Sequence, residues 1–142
     1  MKIIIDADGC PVVDITLRAA EKHGTECVIV CDTSHIFSTD KAEVITVDKG
    51  ADSADFKVVN MAGEGDIVVT QDYGLAAMCL ARKAVPINQD GMIYTADNIE
   101  PLLQSRYTAK KIRNAGGRLK GPKKRTAAQD KAFEECIEGM MK

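Results

Sequence analysis

Five aspartates stand where predicted strands give way to helices, and they are the residues best suited to chemistry. They are Asp6, Asp8, Asp52, Asp55 and Asp72. If the strands are parallel, these carboxylates gather at one edge of the sheet, where open α/β sheets bind their ligands. Carboxylate oxygens are ligands for Mg²⁺ and Mn²⁺, and such ions can polarise a phosphodiester and lower the pKa of a bound water. We therefore predict that the five side chains form a catalytic site for Mg²⁺ or Mn²⁺.

Most of these acids also have a structural explanation. Asp52, with Asp55 three residues later, resembles a helix N-cap followed by an acidic third position, and Asp72 resembles a second N-cap. Asp6 ends a strand, so capping does not account for it. The two interpretations are compatible, because a cap at the carboxyl edge of the sheet faces the same crevice as a ligand.

Three further side chains lie close to these acids in the sequence. Cys10 follows Asp8 near a helix start, where a thiolate would be stabilised, but no histidine is placed to serve it and a structural thiol is favoured. Thr70 and Gln71 precede Asp72 and can add polar contacts; the alternative is a plain strand end. The five cysteines include no Cys-x-x-Cys pair, so neither a disulfide framework nor a zinc site is predicted.

The positive charge is concentrated in one part of the chain. The formal net charge is −2, yet residues 101–129 contain nine of the 19 Lys and Arg residues and no Asp or Glu. The side chains that we expect to bind nucleic acid are Arg113, Arg118, Lys120, Lys123, Lys124 and Arg125. Such residues bind the phosphate backbone, although a solvated surface loop is the commoner role of a basic run. The chain has few aromatic residues, so few side chains are available to stack on bases. Tyr73 and Tyr107 are the candidates for such stacking.

Strand and helix signals alternate through the first 100 residues. The predicted strands are Ile3–Ile5, Cys27–Cys31, Glu43–Val47, Asp66–Thr70 and Val85–Asn88, and the predicted helices are Val12–His23, Ser53–Met61 and Tyr73–Ala81. Pro11 is expected in the first turn of the first helix and Gly24 at its C-cap. A hairpin-like turn at residues 89–91 leads to a further extended segment, Met92–Thr95. This order predicts an α/β fold with three α/β/α layers and a mostly parallel central sheet.

The remainder of the chain has a different character. We predict a helix at Ile99–Ala115, then a basic loop, then a final helix at Ala127–Met141. At 142 residues the chain is interpreted as a single domain, with an α/β core at 1–100 and a basic loop and C-terminal helices at 101–142. Neither a membrane-spanning run nor a signal peptide is predicted, so a cytoplasmic protein without a membrane partner is expected. The oligomeric state is left open.

Four motifs, in order along nearly the whole chain, resemble the bacterial YaiI/YqxD family. They are Asp6-Ala-Asp8-Gly-Cys10-Pro11-Val12, Gly50-Ala-Asp52-Ser-Ala-Asp55, Thr70-Gln-Asp72-Tyr-Gly-Leu75-Ala76 and Gly116-Gly-Arg118-Leu-Lys-Gly121-Pro122, with Asp130 and Phe133 in the last helix also fitting. This family is grouped with PIN-like nuclease domains, whose clustered acids bind Mg²⁺ or Mn²⁺ and cleave RNA through a metal-activated water. The resemblance implies a PIN-like fold, nucleic acid as the partner with RNA favoured, and the five aspartates as the metal cluster.

Two other classes of protein are weighed against a nuclease. A phosphatase of the haloacid dehalogenase type also begins with a strand and Asp-x-Asp, with the first Asp as nucleophile. This chain fits that pattern poorly, because Cys10 replaces the usual Thr or Val and no lysine lies between Lys57 and Arg82. In a non-catalytic RNA-binding or ribosome-associated module, the basic segment would be functional and the acids structural. We rank the nuclease first, the binding module second and the phosphatase third.

Overall fold

The sheet has a central strand with parallel neighbours on both sides. A computed structural model of the chain describes residues 1–33, 39–49, 53–114 and 124–141, with the side chains of 106–114 excepted. Its strands are β1 (Lys2–Asp6), β2 (Glu26–Asp32), β3 (Glu43–Val47), β4 (Ile67–Val69) and β5 (Val85–Ile87). They pair in the order β3-β2-β1-β4-β5, and each neighbouring pair is parallel. The predicted α/β class with a parallel sheet is confirmed.

Helices cover both faces of the sheet. They are α1 (Val13–His23), α2 (Ser53–Met61), α3 (Tyr73–Ala81), α4 (Ala96–Asn114) and α5 (Ala127–Met141). Parallel strands need long crossover connections, and in most cases here a helix provides the crossover. None of the helices in the described residues is long and apolar enough to cross a bilayer.

The continuous apolar run of β1 explains why both faces are covered. Ile3 and Ile5 point into a cluster with α1 and α5, whereas Ile4 points into the opposite cluster with α2 and α3. All three side chains have no exposed surface. Because successive strand residues alternate between the faces, such a run is stable only between two helical layers. Helix α4 packs outside α3, where Ile99 joins Ala76 in a third cluster.

Two helices begin at residues that differ from the prediction. Helix α1 starts at Val13 with Val12 as its N-cap, so Pro11 lies in the preceding turn and its predicted place in the first helical turn is wrong. Helix α4 starts at Ala96 instead of Ile99, because Thr95 and Asn98 cap its first turn. The Thr95 N–H donates to Asn98 Oδ1 at 2.8 Å, and the Asn98 N–H donates to Thr95 Oγ1 at 3.3 Å. The predicted C-cap at Gly24 is confirmed, with φ +65°.

The segment after β5 turns back without forming a second strand. Ile87 and Ile93 form a single antiparallel bridge, and the Asn88 N–H donates to the Met92 carbonyl at 2.9 Å. The turn itself is stabilised by Asn88 Oδ1, which accepts hydrogen bonds from two backbone N–H groups. The predicted extended segment Met92–Thr95 is therefore reduced to one bridge, because Thr95 is already occupied in capping α4.

Helix α5 packs directly against this turn. Its Phe133 and Ile137 are fully buried in the cluster shared with α1. Gly91 has φ +84°, and a Cβ atom there would lie 2.7 Å from the Ala132 carbonyl oxygen of α5. A side chain at residue 91 would therefore force the turn and the helix apart.

We expect Gly91→Ala to destabilise the protein more than Gly65→Ala. Both glycines have nearly the same positive φ, but a Cβ at Gly65 meets nothing within 4 Å. Gly65→Ala should lower the free energy of unfolding by about 1–2 kcal/mol through backbone strain alone. Gly91→Ala should lose about a further 1–3 kcal/mol through the contact with α5. Urea unfolding of both variants measures the difference, and equal losses would contradict this packing.

Candidate functional site

Asp6 and Thr70 connect the carboxyl ends of two neighbouring strands. Asp6 is the last residue of β1, and Thr70 directly follows β4. The Thr70 hydroxyl donates a hydrogen bond to Asp6 Oδ2 at 2.9 Å. The two residues are 64 positions apart in the chain, and the parallel pairing of β1 with β4 brings them together.

Thr70 is at the centre of a hydrogen-bond network. Its hydroxyl oxygen accepts from the Asp72 N–H at 3.0 Å, while its carbonyl accepts from the Tyr94 hydroxyl at 3.2 Å. Thr70 itself is 1% exposed, so these partners satisfy a polar group that water does not reach. The single hydroxyl proton is directed to the Asp6 carboxylate. Thr70, predicted only as a polar neighbour, thus orients Asp6.

Asp72 is the N-cap of α3, as predicted. Its Oδ1 accepts hydrogen bonds from the N–H groups of Gly74 at 2.8 Å and Leu75 at 3.2 Å. Next to it, Gln71 Nε2 donates to the Gly9 carbonyl at 2.8 Å. This second contact ties the loop after β1 to the loop after β4. The cap and the loop contact together fix the loop that follows Asp6 and the loop that follows β4.

Burial and neighbouring negative charge change the acidity of Asp6. The pKa of Asp6 is raised from the usual 3.8 to about 6, with burial as the largest cause. The Thr70 hydrogen bond lowers it, and the charges of Asp55, Asp8 and Asp72 raise it. Each of these aspartates is thus close enough to repel the Asp6 carboxylate. We call this group, Asp6, Asp8, Asp55 and Asp72, the acidic edge. Asp52, the fifth predicted member, lies outside the described residues.

The acidic edge offers carboxylate oxygens, which are the ligands of hard divalent cations. Within the residues that the structure describes, no three His, Cys, Asp or Glu side chains are arranged to hold one ion. Mg²⁺ is usually bound by one or two carboxylates, with water and substrate phosphate at its other positions. A positive charge beside Asp6 would also offset the repulsion from its acidic neighbours. The chemistry of these donors therefore fits a hard divalent cation; the ligand roles of the individual aspartates stay predictions.

Cys10 is poorly suited to act as a nucleophile. The pKa of its thiol is raised to about 11, chiefly by burial and further by the charge of Asp6, while the Val12 backbone hydrogen bond and the charge of Arg125 lower it. A thiol with this pKa is protonated at neutral pH, whereas the thiolate is the reactive form. Cys10 packs against the core cluster shared by α1 and α5. These observations agree with the interpretation of Cys10 as a structural thiol.

The structure describes only part of the basic segment that was predicted to bind nucleic acid. Arg118, Lys120, Lys123 and the side chains of Arg113 and Tyr107 lie outside the described residues, whereas Lys124 is exposed. The remaining member, Arg125, donates to Asp130 Oδ1 at 2.6 Å, to Asp90 Oδ1 at 2.9 Å and to the Gln89 carbonyl. A phosphate would have to compete with two carboxylates for Arg125, whose role in nucleic-acid binding stays a prediction.

Comparisons with known proteins agree with the motif order along the chain. The model of a family described as "Uncharacterized BCR, YaiI/YqxD family" matches residues 4–142. A UPF0178 protein of Exiguobacterium sibiricum is 52% identical over 141 residues, covering 99% of this chain and 96% of the relative. Another UPF0178 protein, from Ruminiclostridium cellulolyticum, is 49% identical over 137 residues, covering 96% of this chain and 90% of the relative. Among solved structures, Rae1 (YacP) from Bacillus subtilis has a TM-score of 0.47 and 14% identity, covering 99% of this chain and 98% of that one.

We expect Asp6→Asn to stabilise the metal-free protein at neutral pH. Because the pKa of Asp6 is raised in the folded state, protonated Asp6 contributes fully to stability below pH 3.8. This contribution is lost as the pH rises through about 6. The amide cannot ionise, and its Oδ1 can still accept from Thr70. Relative to the parent chain, the variant should therefore gain about 1–3 kcal/mol between about pH 4 and pH 7.5. Urea unfolding in EDTA measures this gain, and a pH-independent difference would contradict it.

We also expect Thr70→Val to raise the pKa of Asp6 above its parent value of about 6. Valine keeps the shape of the side chain but removes the hydroxyl that favours the charged carboxylate. The matched control is Thr16→Val, because the buried Thr16 hydroxyl donates within α1, to the Val12 carbonyl at 2.8 Å. NMR titration of the Asp6 carboxyl carbon should show a higher pKa in the first variant and the parent value in the second. The same pKa in all three proteins would exclude a role for Thr70.

Proposed function

The chain belongs to the YaiI/YqxD family, and from the acidic edge of its sheet we propose that it is a metal-dependent nuclease. It would hydrolyse phosphodiester bonds of nucleic acid, with RNA as the favoured strand and Mg²⁺ or Mn²⁺ as the cofactor. The observation that carries this proposal is the position of Asp6. Its carboxylate lies at the end of the central strand, accepts a hydrogen bond from Thr70 and has its pKa raised by the charges of three other aspartates.

The side chains of the acidic edge would divide the work. Asp6 and one of its acidic neighbours would hold the cation, and Thr70 would keep the Asp6 oxygens oriented through its 2.9 Å hydrogen bond. When bound, the ion would polarise the phosphodiester and lower the pKa of the attacking water. Water would add to phosphorus, the bond to the leaving oxygen would break, and that oxygen would take up a proton. Asp72 would remain fixed as the cap of α3, at the border of the site.

Nucleic acid as the substrate is supported by the charge of the chain and by the family resemblance. A phosphate backbone needs cations, and residues 101–129 supply nine Lys and Arg residues without an acid. Within the described residues, the exposed Lys124 precedes Arg125, whose charge acts on Cys10 beside the acidic edge. The basic segment therefore ends close to the acids. A strand bound along it would be directed towards Asp6.

The test is cleavage of end-labelled single-stranded RNA and DNA by the purified chain in Mn²⁺, with EDTA and Asp6→Asn run in parallel. We expect cleavage in Mn²⁺, none in EDTA, and a loss of at least about 100-fold in the variant, because a principal ligand is removed. The matched control is Glu26→Gln, which removes an exposed carboxylate from the amino end of β2, at the opposite edge of the sheet. It should cleave at the parent rate.

Other outcomes would identify the two competing classes. Binding of RNA without cleavage, retained in EDTA and in Asp6→Asn, would indicate a non-catalytic RNA-binding module. Release of phosphate from a phosphomonoester without cleavage of the strand would indicate a phosphatase. Either result would overturn the nuclease proposal.

A further inference from the structure

Strand β3 lies at one edge of the sheet. Within the described residues it pairs with β2 alone. The other edge is covered by the segment after β5, since the Tyr94 N–H donates to the Pro86 carbonyl at 2.9 Å. By contrast, four of the five residues of β3 are β-branched, and its sequence contains neither proline nor lysine, the residues that commonly protect an edge strand. The backbone of such a strand can pair with a further strand.

A groove with an exposed aromatic ring runs beside this edge. Phe56 of α2 is 60% exposed and lies on the helix surface that faces the groove, because residues three and four apart share one face of a helix. On the same side of the sheet, Ile45 and Val47 of β3 pack partly buried against the cluster with α2. The groove has a volume of about 450 Å³ and is lined by Thr46, Val47, Asp48, Ser53, Lys57 and Asn60.

Symmetry restricts how two copies of β3 can pair. A two-fold axis perpendicular to the sheet makes the two strands antiparallel and keeps both α2 helices on the same face. Residues that lie opposite each other share a face, whereas successive residues of one strand alternate between the faces. The axis must therefore pass at a residue of β3 and not between two residues. This leaves one register for each residue of the strand.

One of these registers joins opposite charges. With the axis at Thr46, Glu43 lies opposite Lys49 of the second copy, and Ile45 lies opposite Val47 of the second copy. Symmetry makes each pair occur twice. Ile45 and Val47 both face α2, so this register also joins their apolar side chains beside Phe56. Opposite charges and β-branched pairs across two strands both favour pairing.

The other registers are less favourable. The three with the axis nearer the start of β3 each place like charges opposite one another: Glu43 against itself, Asp40 against Asp48, and Lys41 against Lys49. The remaining one, with the axis at Val47, places the charged Lys49 opposite the apolar Ile45. Charge complementarity therefore selects the register with the axis at Thr46.

We propose that β3 is the docking surface for a second copy of this chain, which adds its own β3 in antiparallel orientation about a two-fold axis at Thr46. The two five-stranded sheets then form one continuous sheet. Backbone hydrogen bonds supply the affinity of such strand addition, and side chains set its register. Because the joined strands run in opposite directions, the carboxyl edges of the two sheets point opposite ways. The acidic edge of each copy stays accessible, and the dimer does not depend on the proposed function.

Sedimentation velocity of the purified full chain, over a wide range of protein concentration, measures the dimer. Glu43→Lys and Lys49→Glu each replace the opposite charges by like charges, and the double variant restores opposite charges with their signs exchanged. Both positions are exposed, so the variants should fold, and thermal unfolding checks this. The matched control is Glu26→Lys, which makes the same charge change at an exposed position at the start of the interior strand β2.

We expect the parent chain to form a dimer whose population rises with concentration. Glu43→Lys and Lys49→Glu should each raise its dissociation constant about 10-fold or more, because like charges then face each other. The double variant should return to within about threefold of the parent value, and Glu26→Lys should keep it. Phe56→Ala should also raise the dissociation constant about 10-fold, whereas Met78→Ala, at an exposed apolar position in α3, should not.

Three results would overturn this interface. They are a parent chain that is monomeric at every concentration, a dimer that Glu43→Lys leaves unchanged, and a double variant that dimerises no better than the single variants. Failure of the proposed function is distinguishable, since cleavage in Mn²⁺ is measured separately. A monomeric parent that cleaves would reject the dimer alone, and a charge-dependent dimer that does not cleave would reject the nuclease alone.

Discussion

The parallel pairing of β1 between β2 and β4 is the constraint on which the rest of the structure depends. Ile4 lies opposite Val28 on one side and Val68 on the other, and all three are buried. A strand that is apolar on both faces must be covered twice, and this requires helices on each side of the sheet. Parallel pairing also directs every carboxyl end to one edge. The burial of β1 and the position of Asp6 are thus two consequences of the same arrangement.

The carboxylate of Asp6 lies in a largely buried position, where its negative charge is unfavourable. Burial is the largest cause of the raised pKa of Asp6, and the acidic neighbours add to it. A proton on Asp6 relieves this cost at low pH, and a bound cation would relieve it at neutral pH. The side chains around Asp6 are held by caps and loop contacts, as at Asp72 and Gln71. These contacts fix the loops after β1 and β4, which follow and neighbour Asp6.

Hydrophobic periodicity and capping residues predicted the bounds of an element correctly where no competing local signal was present. The bounds predicted for β3, α2, α3 and α5 are those observed. Helix α3 illustrates the reason, because Asp72 satisfies two of its N–H groups from a position that the sequence makes plain. The errors at Pro11 and at Met92–Thr95 arose where two local signals competed. At Met92–Thr95 the capping of α4 by Thr95 and Asn98 decided where that helix began; α1 begins at Val13 without a side-chain cap.

The sequence by itself determined the order of the elements, the apolar strand at the centre and the fact that acids follow strands. Only the tertiary structure decided which strands are neighbours, and with them the contact between Asp6 and Thr70 across 64 positions of chain. It also decided that Arg125, predicted from its surroundings to meet phosphate, pairs with Asp90 and Asp130. Periodicity and capping act over a few residues, so they specify local conformation. Hydrogen bonds and pKa shifts depend on distances in space, which exist only once β1, β4 and α5 have packed together.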